Sequence, residues 1–555
     1  GDGPTRGELD RVKRGLRSGL IRGVEQVGGF QGKSNILAEN AVYGGRPDFY
    51  KHSLELLNGA TPQQVAETAR NWIRGEPPVI EAPPFPTELA PAATSADRTQ
   101  LPMPATFPEA PFPELEQATL ANGMRLIVAE RHAVPVVQFS LQLDAGYAAD
   151  QFAEPGVATM TMEMLDEGTA SMDALEISDS LATLGANLTS GANLDFSVVG
   201  LSALKENPDE SPGIYPEVIL DPAFAPSELE RLKRLQLAGI QQEKSSPTDM
   251  ALRVLPRLLY GEGHAYSLPM TGSGTEEAVA ALDRNDLVAY HDAWFKPNNA
   301  TMIVVGDTTL AEIQPKLEQL FARWRPGDVP LKTLPDVPPA NEPRVYLLDR
   351  PGSEQSVIIA GHLIGKREQA DDIAVDAMND ILGGAFTSRV NMNLREDKGW
   401  SYGADTTVVQ TQAQRPFLAI APVQANQTAA SMQEIKREIE ALIGARGATE
   451  AEVATSKRRS TLTLPGRWET ARAVARDIAE LVRFGLPDDY WSNYAELVGA
   501  LDAADVNAAA TRLLHPDRMT WVVVGDRSVI EDDVRALGFG TVHLVDTDGN
   551  PLASP

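Results

Sequence analysis

The chain has 555 residues, 43% of them hydrophobic, no cysteine and a formal net charge of −28 at pH 7. That length exceeds what a single hydrophobic core sustains and predicts three or four domains. The acidity argues against nucleic acid and anionic membrane surfaces as partners, and the lack of cysteine excludes disulfides, thiolate zinc sites and a cysteine nucleophile.

The opening stretch, GDGPTRGELDRVKRGLR, is charged and helical and does not read as a signal peptide. Gly32-Lys33-Ser34 invites comparison with a phosphate loop. Such a loop needs glycine at position 27, where Val27 stands, and the segment lies between helical stretches rather than after a strand. Residues 75–113 are rich in proline and alanine, without an apolar period, and read as an extended linker. Asn122-Gly123 marks a tight turn ahead of MRLIVAE, and VVQFSLQLDAG alternates apolar with polar residues, so a hairpin comes next. A helix, another helix and strands follow, then long amphipathic helices such as SELERLKRLQLAGIQQEK. Gly272-Ser273-Gly274 reads as a turn and helix cap, and the strand MIVVG ends in Val-Gly-Asp. Antiparallel strands with helices packed on one face predict an α+β domain. No apolar run approaches the roughly 18 residues a membrane span needs.

Internal repetition is the strongest signal. ATMIVVGDTT (300–309) matches MTWVVVGDRS (519–528), LDRNDLVAYHDAWFKP (282–297) matches LDAADVNAAATRLLHP (501–516), and RLIVAE (125–130) matches RVYLLD (344–349), each pair 219 residues apart. One offset held over such a distance predicts two homologous domains, 114–331 and 332–545. A partial copy precedes them: TRGELDRVKRGL (5–16) resembles TEAEVATSKRRS (449–460), and PDFYKHSLELLNGAT (47–61) resembles PDDYWSNYAELVGAL (487–501). Residues 1–74 therefore read as the closing helical part of a preceding repeat whose first half is absent, and the chain as a piece of a longer protein.

Candidate chemistry is sparse. The seven histidines (52, 132, 264, 291, 362, 515 and 543) never lie within five residues of one another, so neither HExxH nor HxxEH exists here. His291, on a helix, reads as a packing or surface residue, and Glu163 with Asp166 and Glu167 as a solvated helix end. The stretch GGAFTSRVNMNLREDKGWSYGA (383–404) is different. It sets Arg395 and Tyr402 seven residues apart behind the pair Gly383-Gly384. An arginine offers fixed planar donors and keeps its charge, and a tyrosine offers one directional O–H. Both suit an oxygen on which negative charge develops during a reaction. The spacing predicts Arg395 on a helix and Tyr402 just inside the following strand.

The tandem units and this stretch resemble the pitrilysin family of inverted-zincin metallopeptidases, which includes insulysin-like (insulinase-like) enzymes and the mitochondrial processing peptidase. In that family four such domains form two halves that close around a peptide. One half carries HxxEH and a distant glutamate as its zinc site, the motif's own glutamate acting as general base. Laid on that pattern, GVATMTMEMLDEGT (156–169) puts Thr159 at the first histidine, Met162 at the base and Glu163 at the second histidine, while the distant glutamate falls on Gly239. All four positions are changed, so the resemblance implies that this chain binds no metal. The family's other half has a glycine-rich segment and an SRLxxxLRExxGLxYS-like run, in which Arg395 and Tyr402 match the arginine and tyrosine that hold the substrate backbone.

The resemblance thus implies the C-terminal half of a zinc-dependent endopeptidase or oligopeptidase. Arg395 and Tyr402 would be catalytic and, with Gly383 and Gly384, substrate-binding. Zinc would sit in a partner N-terminal half, from the same precursor or a separate chain, and the substrate would be unfolded peptide. The implied compartment is the periplasm, with the cytoplasm as alternative. A non-catalytic, peptidase-like scaffold or binding subunit of a larger assembly is the alternative function.

Overall fold

The computed structural model describes residues 3–73, 111–205 and 211–552, in two compact units divided between Pro111 and Phe112. Almost all of the linker expected over 75–113 lies outside the described residues. Among the described residues no helix is long and apolar enough to cross a membrane.

Among its described residues the first unit holds four helices, Arg6–Gly23, Lys33–Tyr43, Phe49–Gly59 and Pro62–Trp72. Thr5 with Glu8, and Thr61 with Gln64, close reciprocal capping boxes that satisfy otherwise unpaired N–H groups at the first and last helix. The Lys13 ammonium donates to the Asn58 and Ala60 carbonyls at 3.0 and 2.6 Å, tying the first helix to the turn before the last. Leu9 and Ala66 are buried, whereas Val12, Leu16 and Leu56 are each more than half exposed. The stretch around Gly32-Lys33-Ser34 is a turn between two helices, not a strand-to-helix loop.

In the second unit β1 (Glu116–Thr119), β2 (Arg125–Glu130), β3 (Val136–Leu143), β4 (Asn187–Ala192), β5 (Ser197–Leu204) and β6 (Ala300–Gly306) form one sheet in the order β1-β2-β6-β3-β5-β4. The strands β7 (Arg344–Asp349), β8 (Gln355–Ile364), β9 (Asp405–Val408), β10 (Arg415–Gln424), β11 (Thr520–Gly525) and β12 (Thr541–Val545) form the other, in the order β12-β7-β11-β8-β10-β9. The repeat extends to register. Arg125 pairs with Thr301 and Arg344 with Thr520; Gln138 pairs with Val305 and Val357 with Val524. The tandem α+β reading holds, with one refinement: β2 runs parallel to β6, and β7 runs parallel to both β11 and β12, while the other neighbours are antiparallel. The parallel pairs arise where the chain returns to its sheet through a long helical crossover.

The helices that matter here are α1 (Val157–Glu163), α2 (Pro226–Glu243), α3 (Pro247–Tyr260), α4 (Arg284–Trp294), α5 (Gln369–Asn379), α6 (Thr428–Ile443), α7 (Glu450–Leu462), α8 (Ala471–Phe484) and α9 (Ala503–Leu513). In the first domain α1, α2 and α4 pack on one face of the sheet, burying Met160, Met162, Leu229, Ile240 and Leu287 against Phe139, Leu141 and Val304. In the second, α5, α6 and α9 bury Val375, Met432, Ile439 and Val506 against Ala360, Phe417 and Trp521.

Each sheet's opposite face is covered by a helix from the other domain: α8 lies on β3 and β6, and α3 on β8 and β11. On the second sheet this contact is apolar, with Met250, Val254 and Leu255 against Ile359, Val522 and Val524. On the first it is more polar, because Gln138 and Ser140 line a cavity together with Ala475 and Ala479 of α8. The alternation in VVQFSLQL marks a strand with one wet face. The structure instead buries all eight residues, since that polar face is roofed by a helix far along the chain.

His362, on β8, carries a pH dependence. Its ring is 6% exposed. Nε2 accepts the His515 backbone N–H at 3.2 Å, and Nδ1 lies 3.2 Å from the Leu363 carbonyl, which requires a neutral imidazole. Burial pushes its pKa down to about 4. Below about pH 6.5 the unfolded chain takes up a proton that the folded ring refuses, so stability falls as pH drops from about 6.5 to about 4, by up to ~3 kcal/mol. His362→Gln should remove that slope between pH 7 and pH 4.5 in urea unfolding. An unchanged slope would place the acid sensitivity elsewhere.

Candidate functional site

Helix α5 runs into a wide turn with π-type hydrogen bonding, Asp380–Gly384, and after Ser388 a short helix, Arg389–Asn391, continues as a second π-type stretch, Met392–Asp397. Such widened turns shift the side chains that follow and recur at functional sites. The glycines are needed for close approach rather than for a left-handed backbone. A Cβ on Gly383 would stand 2.3 Å from the Thr406 nitrogen, and one on Gly384 would stand 2.8 Å from Asn379 Nδ2. Gly383 thereby lets the turn lie against β9, where Thr406 Oγ1 donates to Asn379 Oδ1 at 2.8 Å. Arg459, from α7, donates to the Gly384 carbonyl and pairs with Asp380, which fixes the turn from outside.

The buried Asn391 braces the site. Its Nδ2 donates to the Phe386 carbonyl at 2.6 Å, and its Oδ1 accepts the Ala404 N–H at 3.2 Å. One side chain so joins the loop after the glycines to the segment that bears Tyr402. The Arg395 guanidinium stacks 4.6 Å from the centre of the Phe386 ring, with Nε 3.5 Å from the Glu396 carboxylate. Phe386 is 60% exposed and Tyr402 86%, so both offer their rings to solvent beside the guanidinium's own segment.

Two placements differ from expectation. Arg395 lies on a π-type stretch rather than a regular helix, and Tyr402 lies in the connection three residues before β9 rather than inside it. Ser401 explains the second difference. Its hydroxyl accepts the Gly403 N–H at 3.1 Å and bonds the Pro422 carbonyl, and the Ala404 N–H is held by Asn391, so the ladder cannot start before Asp405. Phe386 and Asn391 were not legible as site residues. Phe386 could have been found from its place beside the glycine pair, whereas a lone Asn in a helix carries no such signal.

In the first domain the metal-motif segment forms α1 and its continuation. Thr159 Oγ1 donates to the Gly272 carbonyl at 2.8 Å, and Met160, Met162 and Met164 are buried in the core. Glu163 is exposed; its pKa is raised by partial burial and by the neighbouring Asp166 and Glu167. Glu167 pairs with Arg231. A bonded hydroxyl, a buried thioether, the Glu163 carboxylate and Gly239 do not make the imidazole and carboxylate set that zinc requires. Among the described residues no group of three His, Asp or Glu side chains could hold a metal ion.

Known proteins place this architecture. Residues 125–271 match the family model described as insulinase (peptidase family M16), and residues 281–460 match that described as peptidase M16 inactive domain. Together they span more than half of the chain, which belongs to peptidase family M16. Gly383, Gly384, Arg395 and Tyr402 fall inside the second match. Among its relatives, an uncharacterized zinc protease YmxG of Bacillus subtilis is 22% identical over 52% of this chain and 68% of its own length. A Helicobacter pylori protein described as a non-peptidase homolog YmxG is 21% identical over 72% and 92%. A peptidase M16 inactive domain from Pseudomonas fluorescens superposes with TM-score 0.70 at 25% identity, over 74% of this chain and 98% of that one. The Escherichia coli periplasmic protease PqqL covers 94% of this chain, with 62% of its own length matched, at TM-score 0.63 and 14% identity.

Proposed function

We propose that this chain is the C-terminal half of a zinc-dependent endopeptidase or oligopeptidase. It closes a cavity around unfolded peptide and presents Arg395 and Tyr402 to the substrate main chain at a zinc site carried by another half, joined in one precursor or made separately. The observation that supports this most is the Arg395–Tyr402 segment itself. A glycine turn, Arg459 and Asn391 hold it firmly, yet the Tyr402 ring is 86% exposed. A buried brace that fixes an exposed phenol fits a group awaiting a ligand. The guanidinium and the phenol would donate to the carbonyl oxygen as negative charge builds on it. Gly383 and Gly384, by letting the turn lie close to Thr406 and Asn379, would set the backbone that meets the substrate.

The leading unit supports the same layout. Lys13 reaches the Ala60 carbonyl ahead of a capped helix, just as Lys233 reaches Leu282 at 2.9 Å and Lys457 reaches Leu501 at 2.5 Å. In α2 the residue before that lysine, Leu232, is buried; the corresponding Val12 is exposed. Residues 1–74 are then the closing helices of another repeat, with an apolar face suited to that repeat's own sheet. A periplasmic address goes with this reading, supported by the description of the PqqL relative.

A second reading, a non-catalytic peptidase-like scaffold or binding subunit, is favoured by the Helicobacter relative described as a non-peptidase homolog. Metal analysis of the complete assembly, with hydrolysis of a quenched unstructured peptide before and after EDTA, separates the two. The peptidase reading expects zinc in the assembly but none in this chain, and cleavage that EDTA abolishes. An assembly without zinc that leaves the peptide intact would establish the scaffold.

A further inference from the structure

Between the two domains of the second unit lies a cavity of about 260 Å³. Every lining residue is buried or half-buried, so the space is recessed rather than a surface dimple. Tyr147, Tyr260 and Tyr266 contribute to its wall, together with Leu268, Met270 and Pro416. Tyr260 and Tyr266 stand edge to face, their centres 5.3 Å apart at 83°, with the His264 ring stacked on Tyr260 at 4.9 Å, so an aromatic guest would join an existing aromatic cluster.

The polar atoms around it define the guest. The three phenols are already committed: Tyr147 donates to the Met270 carbonyl at 2.9 Å, Tyr260 to the Gln414 carbonyl at 2.7 Å, and Tyr266 to Asp195. The Arg483 guanidinium is neutralised by Asp195 and bonds the Gln410 carbonyl. Two donors remain. The Asn193 side-chain oxygen accepts the Asp195 and Phe196 N–H groups, and that of Gln410 lies 3.4 Å from Arg415. Neither carboxamide nitrogen donates to a protein acceptor among the described residues. A guest needs an apolar, flat body and one acceptor. It also needs no charge, because the only guanidinium on the wall is already matched and a buried unpaired carboxylate is costly.

We propose that this cavity binds a small uncharged aromatic molecule bearing a carbonyl, its ring among the tyrosines and its oxygen on the Asn193 and Gln410 N–H₂ groups. Such a guest would touch both domains, with Asn193, Leu268 and Met270 on one side and Val409, Gln410 and Arg483 on the other. Its size is limited, since a dry cavity of about 150 Å³ accommodates benzene.

Acetophenone, benzoate and ethylbenzene share a ring and differ only in the acceptor and the charge. Titrated calorimetrically into the full chain, acetophenone should bind saturably at roughly millimolar concentration and raise the unfolding temperature. Benzoate and ethylbenzene should bind about fivefold more weakly. Leu268→Trp, which fills the space, should abolish acetophenone binding. Gln410→Leu, which leaves the fold's ion pairs in place but only Asn193 to donate, should weaken acetophenone binding and narrow its advantage over ethylbenzene. Equal binding of the three probes, no saturable binding of acetophenone, or acetophenone binding unaffected by both substitutions would overturn the assignment.

Discussion

If the proposed peptidase reading holds, Arg395→Ala and Tyr402→Phe should each lower the turnover of an unstructured peptide by the complete assembly by about 10²-fold, the usual cost of removing one donor from a developing oxyanion. The loss falls on kcat at least as much as on KM, because a bond that strengthens as charge develops contributes little to ground-state binding. Arg395→Lys recovers only part of the rate: an ammonium keeps the charge but lacks the planar fork, and it stacks less well on the Phe386 ring. The Tyr402 residue is 86% exposed and the half-buried Arg395 side chain stacks on an exposed ring, so the unfolding free energy should stay within about 1 kcal/mol of the parent. This separates a catalytic defect from a folding one. Cleavage at the parental rate in both variants would remove the pair from any catalytic role.

Asp195→Ala should cost about 3–5 kcal/mol of stability, the range for breaking a buried ion pair from one side. Asp195 is 0% exposed. Its carboxylate accepts from Arg483 at 2.5 and 3.2 Å, from the Gln412 N–H at 3.0 Å and from the Tyr266 hydroxyl. These partners come from both domains. Removing the carboxylate strands the Arg483 guanidinium, whose side chain is 15% exposed, between the rings of Phe196 and Phe484 at 4.9 and 4.7 Å. Asp195→Asn keeps the shape and loses the charge, and should fall between the parent and Asp195→Ala in urea unfolding. A loss below about 1 kcal/mol for Asp195→Ala would show that the joint between the domains does not depend on this cluster.

Much of the second unit was legible because repetition converts sequence into geometry. The 219-residue offset in RLIVAE and RVYLLD, and in MIVVG and WVVVG, returns as identical strand registers. The segment at the metal-motif positions was placed by resemblance, not by repetition: Thr159, Met162, Glu163 and Gly239 stand there, and the Thr159 hydroxyl is bonded to a carbonyl. What sequence could not supply depended on partners distant along the chain. Gln138 and Ser140 look solvent-facing until α8 is laid on them. Tyr402 looks like a strand residue until the Ser401 turn and Asn391 are seen to delay the ladder. Phe386 and Asn391 enter the site through a stacked guanidinium and two hydrogen bonds, none of which leaves a periodic trace.

The mutual roofing of the two sheets by α3 and α8 bears on how such a molecule could arise and be divided. Neither domain is a finished object. Severed between them, each fragment would keep a helix with no sheet to rest on and a sheet with one bare flank. The smallest inheritable piece is therefore the pair, so a gene encoding half of it would gain nothing until its twin stood beside it.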